Sequence, residues 1–368
     1  MIQLPEKTRK SLDRLVKNLK TRDSVSSISL FGSWSRGDAA PSSDVDLLIF
    51  DGGNFNYEHV ERLEQNGTLI DLNFVPQKWI TGPVPSEIDQ KIYEAYILYD
   101  RDWALTNTKE HMMKSYYTPE RLGIRTESYV VDADIYLSRA TSAQARGDIE
   151  SAKVFATISA QAILKIIIEA CKQPISSSRY IETLKRAAEQ LTKTSLFANY
   201  LSIASLDSLD EKTVEENLGS FKAVWDEISS FTKINAPLLN SVHFKIRTKL
   251  NYYTAPAFLQ GMILRSQALN NEGAYQETAH YILNVLVDML ENYAWLKAAE
   301  QNIRLDYTTL LRSLKGFKQK PSTIHKNTTK ALGIESLDEK HVEKTVALAK
   351  QVVLEVRGQR KALLSGIY

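Results

Sequence analysis

Apolar residues are spaced in two different ways along the chain. Up to about residue 105 they come in short runs broken by turn signals. Beyond about residue 110 they recur at helical spacing over long stretches. In the first part, Leu12, Leu15, Val16 and Leu19 share one face and predict an amphipathic helix over residues 5–21. Residues 27–31 predict a strand, Gly32-Ser33 a turn, and residues 34–37 the start of a short helix. Pro41-Ser42-Ser43 reads as a loop into a second strand over 45–50, which Asp51-Gly52-Gly53-Asn54 ends. Residues 58–65 predict a helix and 68–75 a third strand. Residues 92–99 read as a helix running into a short last strand, 97–99.

The remainder predicts helices over 127–146, 149–172, 178–191 and 213–232, a helical block over 256–303, and a last helix over 338–362. The expected fold class is therefore α+β, an N-terminal mixed-sheet domain followed by a larger all-helical region. The expected boundaries are a catalytic domain at 1–110, a helical substrate-binding domain at 111–235 and a C-terminal helical domain at 236–368.

Composition narrows the field without naming a function. Hydrophobic content of 43% and charged content of 24% are those of a water-soluble globular chain. The longest apolar stretch, 162–168, is interrupted by Lys165 and falls short of the roughly 20 residues a bilayer requires. No membrane partner is expected, and the N-terminus has no apolar signal core, so the expected location is cytoplasmic. Cys171 is the single cysteine, which excludes an internal disulfide and a cysteine-based zinc site. The six histidines are scattered, and none stands at metal-ligand spacing from another. Residues 1–105 carry 12 Lys and Arg against 16 Asp and Glu, while the rest carries 34 against 28. An acidic front part suits a domain that recruits cations. The mildly basic remainder does not establish nucleic-acid binding.

Candidate chemistry concentrates in Phe31-Gly32-Ser33-Trp34-Ser35-Arg36-Gly37-Asp38 and Ser42-Ser43-Asp44-Val45-Asp46-Leu47. Alternate residues of a strand point to one face, so Asp44 and Asp46 project together while Val45 and Leu47 face a core. Adjacent carboxylates repel, and a hard divalent cation such as Mg²⁺ relieves that repulsion. Gly32 lets backbone N–H groups approach a phosphate, Ser33 adds a hydroxyl, and Arg36 either reaches the phosphate or braces the loop. Asp71 interrupts the apolar strand 68–75 on the same face as Asn73 and supplies a third carboxylate. Three converging carboxylates suit a two-metal phosphoryl-transfer site.

Gly32-Ser33, Asp44-x-Asp46 and Asp71 together resemble the signature of DNA polymerase β-like nucleotidyltransferases, over residues 25–105. The fuller pattern is most similar to the minimal and aminoglycoside-modifying branches. The resemblance implies transfer of a nucleoside monophosphate from an NTP, commonly ATP, to an acceptor hydroxyl with release of pyrophosphate. It assigns Asp44 and Asp46 to both Mg²⁺ ions, Asp71 to the catalytic ion and to proton removal, and Gly32 and Ser33 to the triphosphate. It also implies a helical domain after the catalytic unit that binds the acceptor. A small molecule is ranked ahead of a protein, and a protein ahead of an RNA end, because a net charge of +2 advertises no basic channel.

In the aminoglycoside branch the helical domain sends an acidic residue and a lysine to the active site. Glu150 as a base and Lys153 as a nucleotide contact are the candidates, with an exposed i,i+3 ion pair as the plainer alternative; Glu127 is a further acidic candidate. Asn251-Tyr252-Tyr253 could line a pocket, although aromatics at helical spacing more often fill a core. Residues 312–330 hold six Lys and Arg and no acid, which fits a solvated loop or a contact for an acidic partner. A non-catalytic NTP-binding regulatory protein is the rival from a different class.

Overall fold

The computed structural model describes residues 4–40, 42–316 and 323–366. The chain forms two compact units, and each is built from two stretches of sequence. The first comprises Met1–Arg121 and His243–Arg265; the second comprises Leu122–Val242 and Ser266–Tyr368. This division differs from three consecutive segments. Residues 243–265 rejoin the N-terminal unit, a return that helical periodicity along the chain does not encode.

A five-stranded mixed sheet forms the centre of the first unit. Its strands are β1 (Val25–Phe31), β2 (Val45–Asp51), β3 (His59–Gln65), β4 (Thr68–Pro76) and β5 (Tyr96–Asp100). Their order is β3-β4-β2-β1-β5, with β2 and β4 parallel and the other pairs antiparallel. On one face Val45, Leu47, Ile49, Ile70, Leu72 and Phe74 pack with Leu12, Val16 and Leu19 of the helix Glu6–Leu19. Each such side chain contributes about 1.5–3 kcal/mol when fully buried. On the other face Leu48, Phe50 and Val75 pack with Ile88, Ile92, Leu105 and Met112.

One element departs from the sequence expectation. Residues 59–65 form the edge strand β3, whereas the expectation for 58–65 is a helix. The cause lies just beyond it. Asn66 and Gly67 both take positive φ, 54° and 73°, and close a tight hairpin into β4. Asn-Gly is the pair that a two-residue hairpin with two left-handed residues favours.

The second unit is helical. Its central helix, Ile149–Ala170, is buried along most of its length, and Asp148 caps it by accepting from the Ser151 N–H. That helix is long and apolar enough to cross a bilayer by composition alone, but 83% of its apolar window is buried inside the unit. Burial against its helical neighbours, Glu339–Ser365 among them, is a sufficient reason for its composition. Within the basic stretch, Leu310–Gly316 and Thr323–Ala331 are helical, and residues 317–322, including Phe317 and Pro321, lie outside the described residues.

Candidate active site

Strand register brings the candidate carboxylates together. Asp46 on β2 is the direct partner of Asp71 on β4. Alternation along β2 puts Asp44 and Asp46 on the face that Leu48 and Phe50 continue, so that face is acidic at one end and apolar at the other. On β4, Asp71 and Asn73 lead into Val75 in the same way. Asp44 and Asp71 are both buried.

Gly32 ends β1 beside this cluster with a φ of +74°. A Cβ at position 32 would lie 2.7 Å from Asp46 Oδ2, so glycine is required here for space as well as for its backbone angle. The Gly32 N–H donates to Glu94 Oε2 at 3.2 Å, and Arg36 donates to the same oxygen at 2.8 Å. Arg36 also pairs with Asp38. Burial opposes the charge on Arg36, but Glu94 and Asp38 outweigh it and hold the guanidinium above its usual pKa. Arg36 therefore braces the loop through Glu94 and Asp38. Ser33 opens the short helix Ser33–Arg36 and is half-buried.

Sequence reasoning did not find the cations of the site. Arg62 on β3 is the strand partner of Asp71, so Arg62, Asp71 and Asp46 form a row across three strands. Its side chain is only 3% exposed. Arg62 Nε donates to Asp71 Oδ1 and Nη2 to Asp71 Oδ2, each at 2.5 Å, and Nη2 also reaches Asp44 Oδ2 at 2.5 Å. The returning segment 243–265 completes the cluster. Arg265 pairs with Asp44, and the Tyr252 hydroxyl donates to Asp71 Oδ2 at 3.1 Å. Tyr252 and Phe258 lie 5.5 and 5.6 Å from the Arg62 guanidinium, within cation–π range. Gly261 gives that guanidinium room, since a Cβ there would stand 2.5 Å from Arg62 Nη1. A strand reading of 59–65 would have exposed Arg62. No local signal marks Arg265, and Tyr252 stands out in the sequence only as an aromatic beside Tyr253.

The three carboxyls differ in how well they are compensated. Burial works against charging Asp44, but Arg265 and Arg62 overcome it and hold its pKa below the ordinary value. Burial raises Asp71, and the Arg62 hydrogen bonds only partly offset that rise. Asp46 is pushed well above the carboxylate range by burial and then by repulsion from Asp44 and Asp71, with Arg265 and Arg62 pulling the other way. Three aspartates thus share two guanidiniums, and Asp46 is the least compensated.

That deficit is the observation on which a divalent cation can be tested. The donors are hard oxygens on one face, the Gly32 backbone comes close to Asp46, and the two guanidiniums do not balance three carboxyls. The donor set fits Mg²⁺. As the side chains stand, Arg62 holds oxygens of two of the three aspartates, and no three acidic, His or Cys groups among the described residues are arranged around a common metal point.

Glu150 and Lys153 belong to the second unit and do not form the i,i+3 ion pair. Glu150 Oε2 accepts from Lys315 at 3.2 Å and lies 2.7 Å from His325 Nε2. Lys153 is buried, with Nζ donating to the Ile203 carbonyl at 2.5 Å and to Ser205 Oγ at 2.8 Å. Burial lowers its pKa to about 8. Both side chains are engaged within their own unit. Glu127 pairs with Arg360 there as well.

Comparison with known proteins bears on the part of the chain that holds the sheet cluster. A family model described as a nucleotidyltransferase domain matches residues 12–95, which contain Gly32, Ser33, Asp44, Asp46, Arg62 and Asp71. No curated protein matches the chain. Among solved structures, a nucleotidyltransferase-like protein from Exiguobacterium sibiricum is similar at 12% identity and a TM-score of 0.34. The match covers 73% of this chain and 78% of that one. That overall likeness is too loose to carry weight beside the domain match. Residues 12–95 are a nucleotidyltransferase domain, and the chain built around them is a transferase enzyme.

Proposed function

We propose that this enzyme moves a nucleoside monophosphate from an NTP to a hydroxyl of a small molecule, with two Mg²⁺ ions as cofactors. The acceptor oxygen forms a bond to the α-phosphorus as the bond to the β-phosphate oxygen breaks, and pyrophosphate leaves. The observation that carries this reading is the cluster of three carboxyls on one sheet face beside Gly32, with Asp46 left without an ion-pair partner of its own among the described ion pairs. Asp44 and Asp46 would hold both ions and Asp71 one of them. When bound, such ions supply positive charge to the attacking and leaving oxygens. Asp71, at the centre of the row, is placed to accept the acceptor proton at a carboxylate oxygen. Gly32 and Ser33 supply an N–H and a hydroxyl for the triphosphate.

A small acceptor is favoured by charge. The chain is only +2 overall, and a carrier of polynucleotide would be expected to concentrate basic residues to release counterions. A second reading has its own support. Arg62 and Arg265 already neutralise Asp44 and Asp71, and Glu94 already accepts from Gly32 and Arg36, as in a regulatory protein that binds NTP without turnover.

The discriminating experiment incubates the enzyme with α-phosphate-labelled ATP, GTP, CTP or UTP, Mg²⁺ and cell extract, then separates small molecules, protein and RNA by size. Label in the small-molecule fraction, absent with Asp44→Ala, is the expected result. Label in protein or RNA would change the acceptor class. NTP binding with no labelled fraction, indifferent to Asp71→Ala, would establish the regulatory reading.

A further inference from the structure

Arg62 occupies an unusual position for a surface-type side chain. It sits on an edge strand, yet it is almost fully buried and binds two of the three aspartates proposed as metal ligands. Its planar fork matches Asp71 with two parallel N–H···O contacts, the strongest carboxylate pairing available to a side chain. It is also held from outside. Tyr252 shares Asp71 with it, Phe258 lies against the guanidinium, and Gly261 leaves room for Nη1. A guanidinium fitted this closely is a built part of the cluster.

We infer that Arg62 is a resident counter-cation that competes with divalent metal for Asp44 and Asp71, so that metal loading requires its release from both. This inference rests on the proposed metal-dependent function and adds regulation of the same site. The physical reason is charge balance. Three clustered carboxyls, two of them buried, would repel strongly without compensation, and a single guanidinium shared by Asp44 and Asp71 relieves that repulsion. A hard cation relieves it as well, but through the same carboxylate oxygens. Arg62 and the metal cannot both keep those contacts. Arg265 plays a lesser part, because it pairs with Asp44 and its side chain is 18% exposed. The segment 243–265, through Tyr252, Phe258 and Gly261, holds the arginine in its metal-excluding position.

The test measures metal binding, not turnover. Mn²⁺ alone is titrated into the full-length protein, and free Mn²⁺ is followed by electron paramagnetic resonance for wild type, Arg62→Gln and Arg265→Gln. Removing the competitor should tighten Mn²⁺ binding by about tenfold or more in Arg62→Gln, and by less in Arg265→Gln. The metal-free Arg62→Gln protein should melt lower than wild type, and saturating Mn²⁺ should raise its Tm by more than it raises that of wild type. If Arg62→Gln does not fold, Arg62→Lys, which keeps the charge but loses the fork that spans Asp44 and Asp71, carries the test, and unchanged affinity in it overturns the inference. Wild type binding Mn²⁺ as tightly as the variants, or more tightly, overturns the competition while leaving the metal-dependent function standing. No Mn²⁺ binding by any of the three proteins overturns both.

Discussion

The two units both bury charged side chains, and they do so in opposite ways. In the helical unit one buried ion pair is matched locally, and buried Lys153 and Glu277 are held by neutral hydrogen-bond partners. Arg125 and Glu169, 2% and 4% exposed, meet through two parallel hydrogen bonds of 3.0 and 2.9 Å, and the Tyr129 hydroxyl adds a third at 3.1 Å. Lys153 is satisfied by a carbonyl and a hydroxyl. In the sheet unit three aspartates are gathered on one face with two arginines shared among them. A matched pair fixes the packing of helices. A deliberate excess of one sign leaves a place for something the chain does not supply. That difference is the physical ground for proposing the sheet face as the place of the chemistry.

Substitutions can break this contrast from either side. The largest effect is expected in the sheet unit, where Asp46→Asn should lower NMP transfer by roughly 1,000-fold, as measured by pyrophosphate release. Its melting temperature should hold or rise, because the least compensated carboxyl has been neutralised. In the helical unit the opposite is expected. Glu169→Gln strands a buried guanidinium and should cost about 3–5 kcal/mol in urea unfolding, with NTP affinity of the folded protein unchanged. A smaller loss, about 1–3 kcal/mol, is expected for Lys153→Met, which leaves Ser205 and one approach to the Ile203 carbonyl unpaired. Unaltered NTP affinity in that variant would separate Lys153 from the nucleotide site; a large rise in the NTP dissociation constant would return it there.

The smallest effect sharpens the comparison through pH. Glu277 accepts from the Ile181 and Glu182 N–H groups at the start of the helix Tyr180–Gln190. Burial nonetheless raises its pKa to about 7, above the ordinary 4.5. A raised acid binds more protons folded than unfolded between these two values, so its contribution makes stability fall as pH climbs from about 4.5 to about 7. Glu277→Gln should remove that part of the slope. Urea unfolding of both proteins at pH 5 and pH 7.5 measures it, and equal slopes would show that Glu277 does not titrate in this window.

The sequence made some of this legible and hid the rest for physical reasons. Asp46 and Asp71 lie on, and Gly32-Ser33 and Asp44 beside, strands whose apolar runs are easily read, because both faces of β2 and β4 are buried. β3 sits at the sheet edge with its side chains half-exposed, so its charged residues blur the alternation that would mark a strand. Reading Asn66-Gly67 as a hairpin would have restored the strand and exposed Arg62. Arg265 and Tyr252 are a different matter. They meet Asp44 and Asp71 across 221 and 181 residues of sequence, and that return is a property of the tertiary fold. Tyr252 was visible as an aromatic but not as a partner of a carboxylate.

The most direct measurement is pyrophosphate release with Mg²⁺ and the preferred NTP, comparing wild type, Asp46→Asn and Glu169→Gln at a temperature where all three are folded. If the unbalanced aspartates are the catalytic centre, Asp46→Asn loses release by roughly 1,000-fold while Glu169→Gln keeps it. Wild-type release by Asp46→Asn would contradict that assignment and remove the sheet-face aspartates from the chemistry.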